Sequence, residues 1–160
     1  MKSRSKELLD RAIAAMVAAI EIYNKPGFPY RTESFAILAI NGWELLFKTK
    51  WLADNRNRAS SLYVYETREN ADGTKSKKKY VKRTDAGNPF THSLSYLVTK
   101  MVDVKKLHAR AWANIQVLLE LRDSAVHFYH QYPPFRVRLQ QIAAACAMNF
   151  DTPAHDWFAR

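Results

Sequence analysis

Between Phe35 and Trp51 the chain sets Phe35, Ile37, Leu38, Ile40, Trp43, Leu45, Leu46, Phe47 and Trp51 around most of a helix's circumference. A helix that is apolar on nearly every side must be buried, so the rest of the chain has to wrap around it. This segment follows Pro29, takes Thr32 as its expected cap and Glu33 in its first turn, and runs to Asp54-Asn55. Before it, Leu9, Ile13, Met16 and Ile20 recur at helical spacing from about Ser5 to Tyr23, and Lys25-Pro26-Gly27 ends that first helix.

The remaining pattern supplies the wrapping. Leu62-Tyr63-Val64-Tyr65 and Tyr80-Val81, separated by Asn70-Ala71-Asp72-Gly73, read as a hairpin within residues 61–83. Pro89 and Thr91 precede a short helix from about His92 to Val102, and Val104 or Lys105 opens a long one reaching His127 or His130. Pro133-Pro134 stops it, and a last helix from about Phe135 to Met148 carries Leu139, Ile142, Ala143 and Cys146 on one face. The expected fold is all-α, an antiparallel bundle of four to five helices with an inserted basic hairpin, forming one domain over residues 1–150. Residues 151–160 are expected to form a tail too short for a second domain, at which a longer parent chain would have been cut.

Composition removes several classes of function. Only 4 of the 160 residues are glycine, far below the usual proportion of roughly 7%, and no glycine-rich phosphate-binding motif occurs. The single cysteine, Cys146, can form neither an intramolecular disulfide nor a cysteine-based zinc site; it fits a reducing compartment, the cytoplasm, and a core position among Ala143, Ala144, Ala145 and Ala147. The apolar stretch Ala12 to Ile20 reads as a helix and not as a signal peptide. Glu21, Asn41, Glu44 and Lys48 interrupt the two stretches that approach membrane-spanning length, so no membrane is expected. His127 and His130 have a spacing that one metal could bridge, with Asp151 or His155 completing the set. A lone His-x2-His brings no pattern of groups that would orient the two imidazoles, however, and neither metal nor cofactor is expected.

The net charge of +10 points to a polyanionic partner. Half of it sits between Asp54 and Arg83, where nine basic residues face four acidic ones. Lys75, Lys77, Lys78, Lys79, Lys82 and Arg83, interleaved with Tyr63, Tyr65 and Tyr80, have the makings of a ribbon that tracks phosphates and offers stacking platforms. Such a surface positions nucleic acid without reading its sequence. The plainer alternative is a solvated hairpin whose lysines only prevent edge pairing.

Near the end of the long helix stands Arg122-Asp123-Ser124-Ala125-Val126-His127. Asp123 and His127 share a face, whereas Arg122 and His127 lie roughly 140° apart on an ideal helix. Asn41, Glu44 and Lys48 form a polar stripe on the otherwise apolar second helix, where burial without partners is costly. An internal Glu44–Lys48 ion pair that orders the helix is one reading of it.

The six-residue string resembles the Arg-x4-6-His signature of the HEPN superfamily, small helical domains found in ribonucleases, toxins and anti-phage proteins. Ser5 to Leu9, Ile20 to Pro26 and Ser34 to Lys50 are similar to a bacterial HEPN-related family of unknown function. The likeness touches the first two helices and the long one; the hairpin is outside it. It implies metal-independent RNA cleavage, in which the ribose 2′-hydroxyl attacks the adjacent phosphate and leaves a 2′,3′-cyclic phosphate. His127 would then move protons as base or acid. Arg122 would clamp the scissile phosphate, Asp123 would orient the imidazole or a neighbouring donor, and Glu44 with Lys48 would line the same cleft. The resemblance further implies a homodimer in which two such motifs face one cleft, and a bacterial defence or toxin setting with an antitoxin or larger assembly as partner. The second expectation is a catalytically inert module that binds RNA or nucleotide through the hairpin or serves in assembly. A solvated Arg122–Asp123 ion pair and a His127 favoured only by the helix dipole would fit that alternative.

Overall fold

The computed structural model describes the backbone of residues 3–127 and 133–158, with side chains over 3–123 and 141–158. Among the described residues there are five helices and one two-stranded antiparallel hairpin, the expected bundle with its insertion: α1 (Arg4–Asn24), α2 (Arg31–Asp54), β1 (Tyr65–Glu69), β2 (Lys75–Val81), α3 (Leu94–Asp103), α4 (Ala109–His127) and α5 (Pro133–Phe158).

The second helix is the axis of the molecule. It touches α1, α3, α4 and α5, and its buried residues Phe35, Ala39, Ile40, Trp43, Leu46, Phe47 and Leu52 lie all around it. Fully burying each of the large ones removes enough apolar surface from water to contribute about 1.5–3 kcal/mol. Trp43 stacks on Phe47 with ring centres 5.5 Å apart and meets Phe150 of α5 edge-on at 5.2 Å. The helix begins at Arg31, one residue before the expected cap: Tyr30 occupies the cap position with no side-chain bond, and Thr32 lies inside the first turn.

In α1 the buried face is Leu9, Ala12, Met16 and Ala19, whereas Ile13 and Ile20 of the expected apolar row are 43% and 39% exposed. Small residues set this orientation. A methyl group on Gly42 would meet the Ala12 carbonyl oxygen at 3.3 Å and the Met16 nitrogen at 3.4 Å, so the two backbones approach too closely for isoleucine to sit between them. Ser3 caps α1 by accepting from the Lys6 N–H, and the Asn57 side chain accepts from the Ser5 N–H.

Two helix ends differ from expectation. The fourth helix starts at Ala109 and not near Val104, because Lys105 takes a left-handed conformation (φ 56°) that terminates α3. Its N–H donates to the Val102 carbonyl and that of Lys106 to Met101, the geometry of a helix stop made without glycine. At the other end α5 runs through the residues expected to be a tail, with a buried Pro153 inside it. Phe150 against Trp43 and Trp157 against Phe47, at 6.0 Å, hold these turns to α2 despite the backbone bond that proline removes. Cys146 is buried as expected.

The hairpin pairs Tyr65 with Val81, Glu66 with Tyr80 and Thr67 with Lys79, and an irregularity after Thr67 brings Glu69 opposite Lys75. Its turn is Asn70 to Gly73, with Gly73 at φ 78°. A two-stranded ribbon is marginal alone. Here a third segment secures its root: Val64 donates to Phe90 O, Phe90 to Lys82 O and Lys82 to Val64 O, each at 2.8 Å.

Candidate functional site

The segment that secures the hairpin root continues into α3 and forms one wall of a cleft of about 380 Å³. The residues from Pro89 to Ser95 line that wall, and Thr84, Glu44 of α2 and Leu119 and Arg122 of α4 line the rest. The sequence separates Glu44, His92 and Arg122 widely, and the packing of α2 against α3 and α4 brings them to one opening.

Each polar group there is held differently. The Arg122 guanidinium, 36% exposed, donates through Nε (3.0 Å) and Nη2 (2.8 Å) to Oδ1 of Asp123. Asp123 therefore orients the arginine; as an exposed pair the contact is worth little in stability and can exchange for a phosphate at small cost. Glu44 accepts a 2.6 Å bond from Lys48 Nζ, with the lysine only 16% exposed. Both readings of this stripe thus meet in one residue, since Glu44 makes the i,i+4 ion pair and also faces the cleft. Asn41 is exposed and is not among the cleft residues, and Lys48 reaches the cleft through its carboxylate partner.

His127 ends the described part of α4, about one and a half turns beyond Arg122, and its side chain lies outside the described residues, as does His130. Among the described residues no group of three or more His, Cys, Asp or Glu is arranged to hold a metal. No helix is long and apolar enough to cross a membrane among the residues described.

His92 carries no mark in the sequence beyond its place at the expected start of a helix. The actual cap of α3 is Ser93, which accepts from the Tyr96 N–H, and this leaves His92 one position outside the helix, facing the cleft. Its ring stacks on Tyr96 (4.1 Å, 17°) and meets Trp51 edge-on at 6.0 Å, while its backbone N–H donates to Leu62 O at 2.9 Å. Burial against these rings pushes its pKa below the ordinary histidine value, because the charged form loses hydration. A lone histidine between two hydroxyl residues has no periodicity that would single it out.

The hairpin carries its charge outward. Lys75, Lys77, Lys78, Lys79, Lys82 and Arg83 are all exposed. On one face Arg68 lies 4.5 Å over the Tyr80 ring and Lys78 5.7 Å from it; at the root Lys82 lies 5.1 Å over Phe90, a cleft residue. Positive charge therefore extends from the hairpin to the mouth of the cleft. Arg83 is tied down by a 2.6 Å bond to Gly87 O. Tyr80 is thus covered on one side by a cation, which orders it as a platform and occupies one of its faces.

Comparison with known proteins adds a family and no activity. No curated protein and no solved structure matches the chain. The model of one family, described as a domain of unknown function (DUF3644), matches residues 7–160, a span that takes in both cleft helices, the hairpin and the whole of the described α5, and the chain belongs to that family.

Proposed function

We propose that the protein is a metal-independent endoribonuclease of the HEPN type, cutting RNA by attack of the ribose 2′-hydroxyl on the adjacent phosphate. The observation that carries this reading is that Arg122 and Glu44, drawn from two helices, line one open cleft beside a cationic ribbon. In it Arg122 exchanges Asp123 for the scissile phosphate and stabilises the charge that grows on the pentacoordinate phosphorus. His127 transfers a proton, and the Glu44–Lys48 pair supplies fixed charge on the opposite wall. The hairpin lysines guide a single strand toward the opening.

The working protein is a cytoplasmic homodimer serving bacterial defence or acting as a toxin, restrained by an antitoxin or a larger assembly. The exposed row Ile13, Val17 and Ile20 on α1 offers apolar area for such association. A second reading, a module that binds RNA without cutting it, is favoured by the exposure of the whole lysine row, which needs no catalytic partner to bind phosphate.

The test is incubation with total RNA in EDTA, with the 3′ ends analysed for wild type and His127→Ala. The expected result is cyclic-phosphate ends that fall by about 10²–10⁴-fold in the variant. Equal cleavage by both proteins, or none by either, contradicts the proposal and leaves the binding module.

A further inference from the structure

We propose that His92 is the group that accepts the 2′-hydroxyl proton in the cleft, an inference that rests on the ribonuclease reading and adds to it the activation of the nucleophile. The geometry points to it. His92 lines the same opening as Arg122 and Glu44, within a cavity of about 380 Å³. Its ring is held on one face by Tyr96 and approached by Trp51, so it is pre-oriented, and its nitrogens make no hydrogen bond to protein among the described residues. A part-buried imidazole fixed by stacking, with no hydrogen-bond partner at its edge among the described residues, is placed to bind a substrate proton.

The charges facing it act together. Arg122 and Glu44 share its cleft, Asp123 and Lys48 are paired to those two, Lys82 lies over Phe90, and Lys100 lies 6.0 Å from the Tyr96 ring. Burial favours the neutral imidazole, which is the form a base requires at neutral pH. His127, to which the proposed function gives the second proton transfer, lies on α4, the helix that brings Arg122 to the cleft.

The step balances. As the 2′-oxygen forms its bond to phosphorus, its proton passes to an His92 ring nitrogen. The bond from phosphorus to the 5′-oxygen breaks, and that oxygen takes a proton from His127. The products are a 2′,3′-cyclic phosphate and a 5′-hydroxyl, and the two imidazoles return to their starting states by exchange with water.

The experiment measures the pH dependence of kcat/KM on an RNA oligonucleotide for wild type, His92→Phe, His92→Gln and Arg122→Ala. Binding of the fully 2′-O-methylated oligonucleotide and thermal unfolding are followed in parallel. Phenylalanine keeps the stack on Tyr96 and removes the proton acceptor, so a packing role and a chemical role separate. The expected wild-type profile rises along an acidic limb with its midpoint below the ordinary histidine value of about 6.5. Both His92 variants should lose about 10²–10⁴-fold in rate and lose that limb, with binding unchanged in both and unfolding unchanged in His92→Phe, which keeps the stack. If His92→Phe cleaves within about threefold of wild type while Arg122→Ala is inactive, His92 is not the base and the ribonuclease reading stands. A wild-type profile without the acidic limb overturns the inference even if a variant fails to fold. Absence of cleavage by wild type overturns both.

Discussion

At the scale of single residues, aromatic rings lie against a titratable group both in the core and at the cleft, with different consequences. Cys146 is buried beneath Trp43, whose indole N–H donates to its sulfur at 2.8 Å. Burial pushes the thiol up to about 12, while the indole bond offsets only part of that rise. A thiol so placed is a packing element, not a nucleophile. Unfolding releases it to ionise near 9, so it leaves stability unaffected below that pH and lowers it progressively between about 9 and 12, where only the unfolded chain loses the proton. Two measurements check this. Thiol reagents should label Cys146 only in denaturant, and the stability advantage of wild type over Cys146→Ala should shrink as pH rises above about 9. Rapid labelling of the native protein would contradict the burial described. His92, although also shielded by rings, differs in facing an opening, and the imidazole loses only part of its hydration.

At the scale of elements, the position of the helices is legible in the sequence where large apolar residues or proline set the rule. The course of α2 follows from its apolar circumference, and the break after α1 from Lys25-Pro26-Gly27. The rotation of α1 is not legible, because Ala12, Ala19 and Gly42 pack by being small, and hydrophobic size is what periodicity weighs. Gly42→Leu is therefore expected to force the two helices apart and cost about 1–3 kcal/mol, lowering the unfolding midpoint. A variant as stable as wild type would mean that α1 and α2 can separate freely. The stop at Lys105 is hidden because a lysine adopts the conformation that glycine usually signals.

The hairpin permits a cleaner test. Its lysines project from a ribbon whose root is bonded to the segment 89–92, so neutralising them should leave the fold intact. Changing Lys75, Lys77, Lys78 and Lys79 together to glutamine is expected to weaken single-stranded RNA binding and flatten its dependence on salt, by about 0.7 in the logarithmic slope for each phosphate no longer neutralised. Equal slopes in the two proteins would remove the hairpin from the binding surface.

At the scale of the whole molecule, the candidate site depends on packing that no local motif contains. Arg122 and Asp123 stand out in the sequence through one short string, and Glu44 through a polar interruption of an apolar helix. What joins Glu44 to Arg122 is the docking of α4 on α2, and what adds His92 is a segment that leaves the hairpin, pairs with its root and turns into α3. Tertiary contacts also account for α5. Its last turns, where Pro153 is the local signal against a helix, are anchored by Phe150 and Trp157 on the aromatic side of α2.

In the proposed reaction this assembly cuts RNA through the 2′-hydroxyl of the strand lying in the cleft. The most direct measurement uses a DNA oligonucleotide carrying a single ribonucleotide, incubated in EDTA with wild type and with Arg122→Ala. The expected result is one cut, immediately 3′ to the ribonucleotide, leaving a cyclic phosphate. The cut should be absent from the all-deoxy strand and reduced by about 10²–10³-fold in the variant, as follows from removing a charge-stabilising donor. Cleavage of the all-deoxy strand, or equal cleavage by Arg122→Ala, would contradict the claim.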